Sequence, residues 1–324
     1  MSSWRYGKFF EGDANPKLNE FSYWNKLPIE LQLLCIKKMD LRDISRFRRT
    51  SKTEKALVDM TKLEFSLLSI HVDEYLQFRR GLWTRVFDLE WHYTNPIEWV
   101  PGLVFCLNHI IVDLVLLRYN EFTNWTVSFR LRDFTNPLFA KHLRLFFAED
   151  EEIYYWHEKA DAATLKEVAL QLKNKEPITF EKLQTLPKFL NANTLDIRSP
   201  TPIDTAEKIV EKWTDEDVPI GRKYKSHFVT AGSIDEFTEL FSNRIREKIL
   251  GAWRITTNDP GKHISFSFSV YHGKESFTME IISVDTKLSI RTKEEVYLDL
   301  RRYDAPPFQS QLQLQPVEFR EYIA

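Results

Sequence analysis

The sequence predicts an α+β or α/β chain. Three short helices stand near the N-terminus, an irregular α/β region follows, and a helix plus a β-meander closes the chain. Three observations predict this. Residues 27–58 carry apolar residues at helical spacing together with helix-start signals. Residues 63–200 hold short β-prone runs separated by helical or irregular ones. Beyond residue 250, three runs alternate apolar and polar residues between turn signals.

The helical stretch comes first. Leu27-Pro28 closes an extended lead-in, and proline suits the first position of a helix, where its missing N–H has no partner to lose. Leu31, Leu34, Cys35 and Met39 recur at spacings of three and four and so share one helix face. Asp40 can cap a second helix with the apolar face Leu41, Ile44 and Phe47. Ser51-Lys52-Thr53-Glu54 is a capping box that opens a third, with Ala56, Leu57 and Met60 on one side. A unit of roughly 35 residues is too small to be stable alone, so these helices lean on the rest of the chain, on a partner, or on both.

The pattern resembles the F-box. The residues that carry the likeness are Leu27-Pro28, Glu30-Leu31, Cys35, Met39-Asp40, Asp43-Ile44, Phe47-Arg48 and Ser51-Lys52. Cys35 and Thr50 depart from it, standing where the family usually has Ile and Val. The resemblance implies docking on a Skp-type adaptor and, through it, a cullin scaffold, with the rest of the chain capturing a protein target. It implies that Leu27, Pro28, Leu31, Leu34, Cys35, Met39, Ile44 and Leu57 supply apolar surface, part against the adaptor and part against the chain's own body.

Composition narrows the classes. At 324 residues, the chain has room for one large domain or two ordinary ones, and 43% apolar residues with 24 Phe are enough for a core. A net charge of −2 argues against a dedicated binder of nucleic acid or anionic membrane. The two cysteines, Cys35 and Cys106, are expected to be buried free thiols in a reducing compartment. No apolar h-region is visible at the start, and the longest apolar run, 103–117, is broken by Asn108, His109 and Asp113. A cytoplasmic or nuclear location is expected, and the Asn124 sequon reads as chance.

Taken in order, residues 1–24 form a lead-in with more aromatics than a solvated tail needs. Residues 63–72 read as a strand and 73–83 as a short helix or a helix and turn. Further strands are expected at 84–91, 110–119, 126–132, 142–150, 152–159 and 194–199, while 164–172 is ambiguous. The short helix and strand of 182–199 weakly resemble an irregular leucine-rich-repeat unit, without a strict period. Ser199-Pro200-Thr201-Pro202 marks a soft boundary. Ala206, Ile209, Val210 and Trp213 give the next helix its stripe, and a turn at Gly221 leads into a strand. Ser233 is expected to cap a long helix reaching Leu250. Glu211-Lys212-Trp213, Ile220-Gly221 and the strand after them resemble the C-terminal segments of the large nematode (Caenorhabditis-type) F-box families. The organisation expected is a lead-in (1–24), F-box (25–62), repeat-like α/β region (63–200), C-terminal F-box-associated α/β domain (201–304) and partly ordered tail (305–324).

Signals for catalysis are sparse. With 9 glycines there is no phosphate-cradling loop and no hydrolase elbow. Cys106 and His109 have ligand spacing but lack a second pair, so no metal and no cofactor is expected. Glu149-Asp150-Glu151-Glu152 reads as a solvated loop. Arg46, Arg48 and Arg49 raise residues 26–60 to nine basic against five acidic side chains, better suited to a protein partner than to nucleic acid. The expected function is a non-enzymatic substrate-receptor subunit of an SCF-type cullin–RING ubiquitin ligase. The alternative is a non-catalytic α/β binding or scaffold protein whose F-box-like helices are only a structural cap.

Overall fold

The computed structural model describes residues 23–39, 41–71, 75–80, 83–88, 107–108, 110–119, 134, 136–173, 176–230, 232–249, 252–271 and 274–288. The chain divides into two compact units, one of residues 1–176 and 181–196 and one of 177–180 and 197–324. Among the described residues no helix is long and apolar enough to cross a membrane.

The first unit opens with three helices, α1 (Ile29–Lys38), α2 (Leu41–Phe47) and α3 (Lys52–Met60). After them come the strands β1 (Leu63–His71), β2 (Tyr75–Arg80), β3 (Trp83–Asp88), β4 (Ile110–Arg118), β5 (Phe139–Ala148) and β6 (Glu167–Leu172). They lie in the order β3-β2-β1-β4-β5-β6, with β1, β4, β5 and β6 mutually parallel. Register explains the core. Leu68, Val115, Leu143 and Val168 line up across the four parallel strands, as do Ile70, Leu117, Leu145 and Leu170, and all eight are fully buried. Leu67, Leu116, Phe146 and Ala169 form a second buried cluster. Burial on both faces is what near-continuous apolar strands such as IIVDLVLL require.

Two expectations fail in this unit. Residues 75–80 are a strand rather than a helix, because Tyr75, Leu76 and Gln77 pair antiparallel with His71, Ile70 and Ser69 of β1. Residues 152–159 belong to a helix, α4 (Asp150–Lys159), rather than a strand. Ile153, Tyr155 and His157 alternate, but the buried set is Ile153, Trp156 and Ala160, at spacings of three and four. The acidic run sits in the first helical turn, where carboxylates meet the positive end of the helix dipole. It is therefore not a loop. Glu152 is fully buried, where it accepts a hydrogen bond from the Tyr119 hydroxyl, which in turn accepts one from Trp156 Nε1 at 3.2 Å. Lys173 pairs with Glu149 at 2.8 Å and Lys182 pairs with Asp150.

Two short helices, α5 (Phe180–Gln184) and α6 (Pro187–Leu190), precede β7 (Thr194–Thr201). The second unit continues with α7 (Ile203–Asp215), β8 (Lys223–Phe228), α8 (Ser233–Leu240), β9 (Ile245–Ile249), β10 (Ala252–Thr256), β11 (Lys262–Tyr271) and β12 (Lys274–Ser283). Their order is β7-β8-β12-β11-β10-β9, and β9 to β12 pair antiparallel in sequence, as a meander. Stacked rings fill one face: Phe228 on Phe277 (4.3 Å), Phe237 on Phe266 (4.4 Å) and Trp253 on Phe266 (5.4 Å). The turn before β8 uses Gly221 at φ +90°, a backbone that L side chains rarely adopt.

The helix expected to run from Ser233 to Leu250 stops at Leu240, and Ile245–Ile249 is a strand. Ser242 and Asn243 favour turns over helix interiors, and the strand beyond them is held by pairing with β10. Ser233 does not cap α8 either; its hydroxyl donates to Thr230 C=O at 2.8 Å. The cap is Glu275 of β12, whose carboxylate accepts from the Gly232 and Ile234 N–H groups at 2.7 and 2.9 Å.

Candidate functional site

The helices α1 to α3 are positioned by a few specific contacts. A 3₁₀ turn at Trp24–Lys26 precedes them, and Leu27 N–H closes it onto Trp24 C=O at 3.1 Å. Pro28 then starts α1, its carbonyl accepting from Leu31 and Gln32 N–H at 3.0 and 3.1 Å. Gln32, a buried polar residue on α1, donates from Nε2 to Trp24 C=O at 2.8 Å and holds the lead-in on the helix. The Trp24 ring meets the Phe47 ring edge-on at 5.1 Å, which ties the same turn to α2.

From α2 the chain turns into α3 through Arg48, whose guanidinium grips the Asp59 carboxylate at 2.6 and 3.2 Å. The capping box forms on its serine side: Ser51 Oγ accepts from Thr53 and Glu54 N–H at 3.2 and 3.3 Å. At the far end of α3, Thr61 Oγ1 donates to Leu57 C=O at 2.8 Å. Lys62 Nζ donates to Asn108 C=O at 2.9 Å and lies over the Phe139 ring, so the three helices are anchored to the sheet of their own unit.

The eight apolar positions singled out in the sequence divide. Ile44 and Leu57 are buried, with Ile36 and Val58 beside them in the core. Leu27 and Met39 are half-buried, and Pro28 is exposed. Leu31 and Leu34 are 46% and 51% exposed, and Cys35 is an exposed thiol. Cys35 is thus not the buried cysteine expected from composition. Leu31, Leu34 and Cys35 are three and four residues apart, and they lie on the side of α1 away from Gln32 and Ile36, which face inward. Ile29, 48% exposed, adds apolar surface that the spacing argument did not single out, and Met60, placed by spacing on the apolar side of α3, is 58% exposed. Lys37 and Lys38 are exposed at the end of α1, and Arg49, Lys52 and Lys55 are exposed on and before α3.

An exposed apolar strip of this kind on one helix is chemistry for docking, since leucines left in water gain from being covered. No group of three or more metal-ligating side chains occurs among the described residues. Asp40, Cys106 and His109, with the expected strand at 126–132 and the aromatics of residues 1–22, lie outside the described residues.

No curated protein and no solved structure matches the chain. Among family models, residues 24–66 match the F-box domain, and this stretch takes in the 3₁₀ turn, α1 to α3 and the start of β1.

Proposed function

We propose that the chain is a substrate-receptor subunit of an SCF-type cullin–RING ubiquitin ligase. The observation that carries this reading is the strip of Leu31, Leu34 and Cys35, exposed on α1 inside the stretch that matches the F-box domain. In this reading, Pro28, Leu31, Leu34 and Cys35 dock on a Skp-type adaptor, and through it on a cullin. Leu27 and Met39 sit at the margin. Ile44 and Leu57 hold the docking helices in shape from beneath. The chain supplies no reacting group. It holds a target near the ubiquitin-loaded enzyme, and proximity is its contribution.

Target capture falls to the residues after 66. Strands β4, β5 and β6 begin at residues 110, 139 and 167 and run parallel side by side, which supports a leucine-rich-repeat-like reading of the first unit's sheet. The second unit, with α7, the Gly221 turn and β8, corresponds in this reading to the C-terminal domain of nematode-type F-box families. The alternative keeps α1 to α3 as a cap, and the burial of Ile36, Ile44, Leu57 and Val58 is the observation in its favour. Co-purification of the full chain with a Skp-type adaptor tests the choice: recovery of the adaptor supports the receptor, and its absence with a folded chain leaves the cap.

A further inference from the structure

Side chains of the first unit's parallel strands alternate between two faces. One face carries Leu117, Tyr119 and Leu145, and Tyr119 ties it to α4 through Glu152 and Trp156. The other carries Ser69, Leu116, Arg144 and Ala169 in one row and His71, Arg118 and Phe146 in the next. Its centre is the buried cluster of Leu67, Leu116, Phe146 and Ala169, with Leu114 and Phe147 partly buried beside it. Phe147 reaches this face through strain. Simple alternation puts it on the α4 side, but β5 shifts register against β6 between Phe146 and Ala148, and Phe147 sits at φ +56°, a backbone that a bulky side chain rarely adopts. The Arg118 guanidinium lies over its ring at 5.9 Å.

This face is rich in donors and short of acceptors. Arg118 is half-buried and meets no carboxylate among the described residues. Arg144 Nη2 donates to Glu167 at 3.2 Å, a carboxylate it shares with His142, and Arg144 Nε is buried without an acceptor. Ser69, 1% exposed and in the same row, has no partner for its hydroxyl. Arg79 of β2, opposite Leu67, is exposed and pairs with no described carboxylate. Among the described side chains, the guanidiniums of Arg79, Arg118 and Arg144 face Glu167 alone.

We propose that this face binds an acidic protein segment, with Arg118 and Arg144 receiving its carboxylates and Leu114 and Phe147 contacting its apolar side chains. The inference rests on the reading that the residues after 66 capture a target. Charge complementarity selects the occupant, since a planar guanidinium takes a carboxylate bidentately and the face holds too few of its own. Strand geometry sets the Arg118 and Arg144 Cα atoms about 8 Å apart, one strand across and two residues along. Carboxylates at alternate positions of an extended segment, about 7 Å apart, match that spacing. Phe147 holds the Arg118 head in place before the segment arrives, which spares it ordering entropy on binding. A nucleic acid is the poorer fit, because the chain's net charge is −2 and the two arginines bracket leucine rather than line a continuous cationic track.

The test titrates the full chain into a fluorescein-labelled peptide repeating Glu-Leu-Glu and follows anisotropy. A Gln-Leu-Gln repeat and a single-stranded RNA serve as comparisons. Binding of the acidic peptide and not of its Gln counterpart is expected. Arg118→Gln, folded by circular dichroism, should weaken it at least about tenfold, the worth of one hydrogen bond to a charged group. A benzophenone-bearing form of the acidic peptide, photo-cross-linked to wild type, should map to β4 and β5, and this holds the proposal to account even if the variant fails to fold. No binding of the acidic peptide, equal binding by folded Arg118→Gln, cross-links that avoid β4 and β5, or tighter binding of the RNA overturns the proposal. Adaptor recovery is read separately. A chain that takes the adaptor but not the peptide sinks this inference alone, and one that takes the peptide but not the adaptor sinks the receptor reading and keeps the acidic-segment site.

Discussion

Gln32 Nε2 donates a 2.8 Å hydrogen bond to the main-chain carbonyl of Trp24, eight residues earlier. The contact folds the 3₁₀ turn back onto α1 and fixes where Leu27 and Pro28 emerge. Replacing Gln32 with Ala removes one net hydrogen bond, about 1 kcal/mol. The carbonyl keeps its bond from Leu27 N–H, so the helix survives and the lead-in loosens. A small drop in urea midpoint is expected, along with amide exchange that speeds up over wild type at residues 24–27 and not at α3.

Tyr119 and Glu152 make a second, deeper pair. Burial first, and then the Glu152 charge, push the Tyr119 phenol well above its usual range, so it stays a donor to the carboxylate. Tyr119→Phe leaves a buried carboxylate with one donor fewer and is expected to cost about 2–3 kcal/mol, measured by chemical denaturation. The raised value sets the sign with pH. The pair's stabilisation is present below the ordinary phenol range and is lost as pH climbs through the folded one. Wild type therefore loses more stability than Tyr119→Phe in strong alkali.

Histidines set the acid side. His157 Nε2 accepts the Lys188 N–H at 3.1 Å, which only the neutral imidazole can do, and burial and then Lys188 hold its pKa below the usual value. His71 is lowered to about 4, first by burial and then by Arg118. Both groups are kept neutral by the fold. The stability this gives is in place above the unfolded value of 6.5 and is lost as pH falls through each folded value, which for His71 is about 4. For His71 the loss reaches about 3 kcal/mol at most. Denaturant titrations across this window should show a steep fall in wild type and a shallower one in His71→Phe.

Glu275 reaches from β12 to the first turn of α8 and satisfies two of its amides. Glu275→Ala leaves those N–H groups to water and is expected to cost about 1–2 kcal/mol. Amide exchange should rise first at 232–236. Ser233→Ala should leave these amides unchanged, since the Ser233 hydroxyl serves Thr230.

Sequence made the N-terminal helices legible because their punctuation is local: Pro28 at the start of α1 and Ser51 at the start of α3 act through neighbours a few residues away. It misled where two periods fit one stretch. Residues 152–159 satisfy both alternation and a helical stripe, and only the packing of Trp156 decides. Ile245 continues the stripe of Phe237 and Phe241, although β10 claims it. At the proposed docking surface, spacing put Leu31, Leu34 and Cys35 on one face but left open which way that face points. The deciding residues were Ile36 and Gln32, and a glutamine turned inward to a backbone carbonyl leaves no mark in a hydrophobic pattern. The remote cap by Glu275 was equally unreadable, because its partners lie more than forty residues away.

The most direct measurement is the affinity of the full chain for a Skp-type adaptor, by titration calorimetry, for wild type and for Leu31→Ala/Leu34→Ala. Both side chains are about half exposed, so the double variant should melt within a few degrees of wild type, and circular dichroism checks this. Covering two leucines in an interface is worth about 2–4 kcal/mol, so the variant should bind at least about thirtyfold more weakly. Equal binding by a folded double variant, or no binding by wild type, would contradict the claim that the exposed face of α1 is the docking surface.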